Sequence, residues 1–379
     1  MSPPTRREAL PDRLRGIALL GIVVVNVAFL GISADGPTQE SAQGFGNTLA
    51  TACVFIFAQG KFYLLFSFLF GYSASFILRD QTPANRSRYL RRMIGLFLFG
   101  LAHAVFFFVG DILITYSILG LLLFFVSRSS DDVLRALTIA SVAVSVFLVL
   151  ALSALTAAFP TEGSALPDLQ SALANGTFLE ASLARLEALP AVLFSVFLLQ
   201  GPMAFAAFLL GLQASRRRLL ADPQANVELW RRLAIWGWGI GLPLQIIAGL
   251  LQTQAVVDGN PYSLGGAAGL ALGITTAPIL TAGYVGSIAL LVARRPKALG
   301  FLAPAGRMSL TVYIGESVIL SLVFCAYGLG YFGEWGALAV VATAIASWVV
   351  LSILAWLWMK RFTRGPLEKV LGVITGPRR

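Results

Sequence analysis

Long apolar runs separated by short polar segments dominate the chain, and their length decides its class. A helix needs about 20 mainly apolar residues to cross the hydrocarbon core of a bilayer. Ten such runs are present, at 16–33, 48–78, 94–109, 111–126, 133–158, 190–212, 233–252, 264–293, 308–327 and 337–359. They predict an all-α integral membrane protein of about ten transmembrane helices, with residues 1–379 forming a single polytopic domain. The second run is interrupted by Gly60 and Lys61, which predicts either a kinked helix or a re-entrant piece followed by a spanning one. The first run follows Arg13 and Arg15 without a clean small-residue cleavage site, and so reads as a retained helix. One outer loop, 159–189, is long and carries Glu162, Asp168, Glu180, Arg185 and Glu187. Its stretch from Leu166 to Leu189 reads as an amphipathic helix lying at the outer interface.

Charge gives this arrangement a direction. Of the 28 lysines and arginines, 25 fall in alternate inter-helix segments or the termini, and Arg135 at a helix start beside them brings to 26 those on one side of a ten-helix topology. Basic residues collect in cytoplasmic loops, so both termini are placed in the cytoplasm. The two exceptions are Arg185 in the long loop and Lys61 within a helix. Composition agrees with the pattern: 57% of residues are hydrophobic and 12% charged, against about 25% charged in soluble domains. The net charge of +10 follows from this topology, so membrane lipids and not nucleic acid are the expected surroundings. Cys53 and Cys325 both lie inside apolar runs, in spacings that suggest neither a metal site nor a disulfide. No P-loop or dinucleotide-binding motif is visible, and the glycine-rich stretch 263–273 reads as a packed membrane helix.

Ionisable groups inside a membrane helix are costly and mark functional positions by default. The candidates are Lys61, His103, Asp111 and Glu316, with Arg15, Arg92 and Arg307 at cytoplasmic helix ends. Each has a plain structural alternative. The arginines suit snorkelling and orientation, Lys61 and Glu316 an interhelical ion pair, and His103 a hydrogen bond to a neighbouring carbonyl. His103 is the single histidine and is placed mid-helix, eleven residues after Arg92. Eleven residues make almost three helical turns, so the two side chains share a face roughly 16 Å apart. Asp111 follows eight residues later on a similar face, and Arg15 and Asn26 repeat the eleven-residue spacing on the first helix. Two helices thus place an arginine at the cytoplasmic mouth and a polar group deeper in the membrane. That suits an anionic cosubstrate with its phosphates on arginines and its reactive end inside. Gly16, Gly21 and Gly31, with Gly95 and Gly100, would let helices approach closely.

These residues lie in blocks with a familiar look. The stretch from Asp12 to Asn26, Gly60 to Gly71, and Gly110 to Tyr116 resemble the YeiB-like family of bacterial membrane proteins. Gly306 to Tyr313, Gly328 to Gly333, and Arg364 to Glu368 extend the likeness. The C-terminal part, about 295–379, resembles the domain of unknown function numbered 418. The resemblance implies a multi-pass protein of the bacterial cytoplasmic (inner) membrane. More distantly the family is similar to the transmembrane acyltransferases, many of which carry a basic residue, ten intervening residues and a histidine. Arg92 and His103 fit that pattern, whereas Asn26 stands where such proteins often have a second histidine.

Two functions compete. In an acyltransferase, Arg15 and Arg92, with Asn26 beside them, would hold an acyl-CoA-like donor as a cosubstrate. His103 would take the proton of a sugar or lipid-linked acceptor, and Asp111 would orient that acceptor or strengthen His103. Lys61, Tyr116, Arg307 and Glu316 would line the pocket. No tightly bound cofactor and no metal are expected. In a secondary transporter or flippase, Asp111, Glu316 and His103 would relay protons and Lys61 would serve as substrate or counter-ion site. A carrier-type pair of broken helices would favour the latter, and only the Gly60–Lys61 interruption is visible.

Overall fold

A computed structural model describes residues 8–78, 82–159 and 163–376. Among them the chain forms helices, turns and no strand. In order these are α1 (Ala9–Gly31), α2 (Phe45–Cys53), α3 (Lys61–Leu78), α4 (Pro83–Phe106), α5 (Leu113–Val126), α6 (Asp131–Ala158), α7 (Pro167–Asn175) and α8 (Phe178–Arg216). They continue as α9 (Val227–Trp236), α10 (Leu242–Val257), α11 (Leu264–Arg294), α12 (Ala303–Arg307), α13 (Ser309–Phe324), α14 (Ala337–Arg361) and α15 (Pro366–Thr375). Among the described residues, eight spans are long and apolar enough to cross a membrane, with α2–α3 and α9–α10 each counted as one. A ninth is the pair α12–α13, bent by 82°. The remaining apolar helix, α5, has 14 residues and is about 21 Å long, shorter than a bilayer core requires. The protein is therefore an all-α integral membrane protein.

The bundle has two distinct ends. One gathers the start of α1, the ends of α3 and α8, α12 and α15, together with most of the arginines; we call it the basic end. There Arg13 donates to Pro296 O, Arg216 pairs with Asp131, and Gly306 lies against the backbone of Asp12. The other end is closed by the connections after α1, α4 and α13 and by α7.

Helices meet where side chains are smallest. A Cβ on Gly71 of α3 would lie 2.0 Å from Phe208 O of α8, and one on Gly211 of α8 would lie 2.0 Å from Phe68 O of α3. Lipid offers no hydrophobic drive between helices, so such backbone-to-backbone contact supplies the packing that holds them. α1 is the most enclosed span, and Gly16, Gly21 and Gly31 face Leu302, Phe62 and Phe324.

Several elements depart from the sequence expectation. α4 starts at Pro83, eleven residues before the expected 94, and ends at Phe106. His103 therefore lies in its last turn and not at mid-helix. The 48–78 segment is one kinked span: a π-turn at Val54–Ala58 gives way to α3 through Gly60, which holds φ +83°. A residue with a Cβ strains there, and glycine makes the break inexpensive. The loop 159–189 forms two helices divided at Gly176–Thr177, of which α8 runs 39 residues, or about 58 Å. A capping box of Thr177 and Glu180 starts α8. Leu169 and Leu173 of α7 are buried against protein, and Gln170 accepts from the Ala34 amide at 2.7 Å. That region packs on the bundle and does not lie free at an interface; Glu162 is outside the described residues.

Candidate functional site

Asp111 precedes α5 and acts on its first turn. Its Oδ1 accepts the Ile114 amide at 2.8 Å, the usual satisfaction of a free amide at a helix start by an aspartate. Gly100 on the facing turn of α4 makes this possible. A Cβ there would lie 2.6 Å from Asp111 Oδ1 and 2.8 Å from the Ile114 nitrogen. The other carboxylate oxygen, Oδ2, lies 2.7 Å from His103 Nδ1, and neither side chain has solvent exposure. The short connection between α4 and α5 thus folds the aspartate back onto the histidine eight residues earlier. His103 Nε2, by contrast, is buried with no hydrogen-bond partner among the described residues.

Two side chains of α13 complete this region. The Tyr313 ring packs on the imidazole with centroids 4.9 Å apart. Its hydroxyl accepts the Ile112 amide at 3.3 Å and donates to Asp111 Oδ2 at 3.5 Å. Glu316, one turn further on, is 2% exposed, and its Oε1 has no partner among the described residues. The sequence reading assigned Tyr313 no role; only its tertiary contacts with His103, Asp111 and Ile112 reveal it.

Toward the basic end, Arg92 is half-buried. Its guanidinium lies 5.8 Å from the centre of the Phe70 ring, and its Nε has no partner among the described residues. Arg15 and Arg88 lie close enough to repel its charge. Arg15 is already engaged, pairing with Asp12 at 2.9 Å and donating to Ser73 Oγ. Asn26 is half-buried on α1, five residues before its end.

The three remaining candidates, Lys61, Tyr116 and Arg307, are each held by a backbone carbonyl. Lys61 donates from Nζ to Phe55 O at 2.8 Å, inside its own kink. It forms no ion pair with Glu316, because the carbonyls freed by the break are nearer and need donors. Tyr116 donates to Tyr63 O at 2.8 Å and contacts Ser67, deep in an aromatic cluster with Phe70 and Phe208. Arg307 sits on α12 at the basic end and donates to Thr363 O at 3.3 Å. Of the sequence candidates, then, the structure unites His103 with Asp111, sets Glu316 beside the tyrosine that contacts them, and brings Arg15 near Arg92. Arg185, read from sequence as a loop charge, is 1% exposed and donates to Phe106 O and Tyr327 Oη, both at 3.1 Å. Phe106 is the last residue of α4, so Arg185 caps the helix that bears His103.

Comparison with known proteins places this architecture. Residues 214–376 match the family described as Protein of unknown function (DUF418). Related along nearly their full length are YxaH of Bacillus subtilis (strain 168) and YeiB of Escherichia coli (strain K12). Both are named as uncharacterized, and each is 26% identical over 96% of this chain. The matches span 92% of YxaH and 94% of YeiB. The chain thus carries a DUF418 region and is similar along nearly its whole length to these YeiB-like proteins. A 39.9 kDa protein from the amylase 3′ region of Bacillus acidopullulyticus is 28% identical over 97% of this chain and 93% of its own. It too is named as uncharacterized, and no solved structure matches. The matched DUF418 region is larger than the stretch expected from about residue 295. It begins at the end of α8 and contains Tyr313 and Glu316, while Arg92, His103 and Asp111 lie before it.

Proposed function

We propose that this YeiB-like protein is an acyltransferase of the bacterial cytoplasmic membrane, with the basic end and both termini in the cytoplasm. The observation that carries the reading is the unpartnered Nε2 of His103 beside an Nδ1 held by Asp111. A carboxylate on one ring nitrogen sets the tautomer and leaves the other nitrogen as a proton acceptor. In the reaction, Nε2 takes the proton of an acceptor hydroxyl as its oxygen attacks the acyl carbonyl of a thioester. The tetrahedral intermediate collapses with cleavage of the C–S bond, and the thiolate recovers the proton from His103. The acceptor is a sugar or a lipid-linked group. Arg92, with its free Nε, suits the phosphates of an acyl-CoA-like donor entering from the cytoplasm. The roughly 16 Å of helix between Arg92 and His103 is a span that an extended phosphopantetheine arm bridges.

Glu316 favours a second reading. A buried carboxyl oxygen without a partner, near a histidine–aspartate pair, also suits a proton relay in a secondary transporter or flippase. Calorimetry of the purified protein with acetyl-CoA and CoA, beside an Arg92→Ala variant, separates the two. The acyltransferase reading expects binding that weakens by about 1.5–3 kcal/mol in the variant, as for loss of a charge-assisted contact. Absence of binding by folded protein would overturn it and direct effort to proton-coupled flux in vesicles.

A further inference from the structure

The two halves of the candidate site come from opposite ends of the sequence. Asp111 and Tyr313 are 202 residues apart, yet the tyrosine hydroxyl reaches the same carboxylate oxygen that holds the imidazole. With the Ile112 amide donating to that hydroxyl, the tyrosine proton is directed at Asp111 Oδ2. Asp111 Oδ1 is tied separately to the Ile114 amide, so both carboxylate oxygens are engaged and the plane of the group is set.

The position of Tyr313 is itself enforced. The break between α12 and α13 leaves the first amides of α13 without helical partners. Glu368 of α15 accepts from Leu310 N at 2.8 Å, Thr311 N at 3.1 Å and Thr311 Oγ1 at 2.6 Å. Tyr313 follows within the first turn and a half. The same α15 packs on α4, where a Cβ on Gly95 would lie 2.6 Å from the Leu371 side chain. The C-terminal helix thus ties together the helix that carries His103 and the helix that carries Tyr313.

We propose that Tyr313 is a positioning residue for the histidine–aspartate pair, so that the site of the N-terminal helices is completed by the DUF418 part of the chain. The inference rests on the reading of His103 and Asp111 given above. Its rival is a purely space-filling tyrosine, whose hydroxyl would have no effect on the imidazole.

The chain has a single histidine, so 15N labelling of histidine reports on His103 without assignment. Full-length wild type should show a protonated Nδ1 and an unprotonated Nε2. An Asp111→Asn variant supplies the signature of the lost carboxylate. Tyr313→Phe keeps the ring and removes only the hydroxyl. It should shift the tautomer ratio toward the Asp111→Asn pattern by roughly three- to tenfold, as for loss of one long hydrogen bond to the carboxylate. A thermal melt and Tyr313→Leu, made alongside, separate a loosened fold from a loosened carboxylate. In that case Tyr313→Leu disturbs both melt and spectrum, and Tyr313→Phe the spectrum alone. A folded Tyr313→Phe protein with the wild-type spectrum overturns the role of Tyr313 and leaves the pair intact. A wild-type spectrum without the Nδ1-protonated tautomer overturns the pair itself.

Discussion

Two buried polar regions of this protein have similar sequence signatures and opposite structural states. At the Lys61 kink, an ionisable side chain sits 1% exposed in an apolar helix, much as His103 does at the end of α4. The kink is locally satisfied. Lys61 donates to Phe55 O, Tyr284 donates to Phe57 O at 3.0 Å, and Thr281 donates to Lys61 O at 3.2 Å. The first two bonds answer carbonyls exposed by the broken helix, where lipid would offer none, and the third ties the start of α3 to α11. Around His103, by contrast, the imidazole Nε2 and the Glu316 Oε1 lack partners among the described residues. Burial of an ionisable group in a membrane helix therefore does not by itself mark a reacting site. The more discriminating feature is hydrogen-bonding capacity left over after the fold has taken what it needs.

This contrast predicts opposite mutant phenotypes. His103→Gln should lower the proposed transfer activity by roughly 10²- to 10⁴-fold, the range for losing a general base, with the melting temperature near wild type. A large drop in melting temperature with retained specific activity would erase the distinction. Lys61→Met should do the reverse, costing about 2–3 kcal/mol of stability through an unanswered buried carbonyl while leaving CoA binding unchanged. Thermal unfolding and calorimetry on one preparation measure both. Gly100→Ala lies between the two regions in character. Its Cβ would crowd Asp111 Oδ1, so a cost of about 1–3 kcal/mol should come with a disturbed His103 spectrum. The smallest effect is expected at Glu368→Ala. Removing that cap should lower stability by about 1 kcal/mol and loosen α13, read as faster amide exchange at Leu310 and Thr311.

The helix at 366–375 shows how far a single segment could be read. Its ten residues are too few for a membrane span, so a search for long apolar runs passes over it. Yet Pro366 follows Gly365, and Leu367, Val370, Leu371 and Ile374 recur at helical spacing, a pattern visible in the sequence. The extension of α4 back to Pro83 was also legible, through Thr82 accepting the Asn85 amide and proline at the first helical position. It was hidden because Arg86, Arg88, Arg91 and Arg92 lower the hydropathy of those turns.

By itself the sequence determined the membrane class, the approximate helix positions, the gathering of basic charge at alternate connections, and the spacing of Arg92, His103 and Asp111. Each is a property of one segment, set by apolar length, helical period and composition. Only the tertiary structure decided that Lys61 answers a broken helix, that Arg185 caps α4, and that Tyr313 and Glu368 belong to the neighbourhood of the histidine. Those outcomes depend on which helix faces meet. Glycines such as Gly71, Gly95, Gly100 and Gly211 let backbones come into contact there, and a buried polar group takes whichever partner that contact brings within hydrogen-bonding reach.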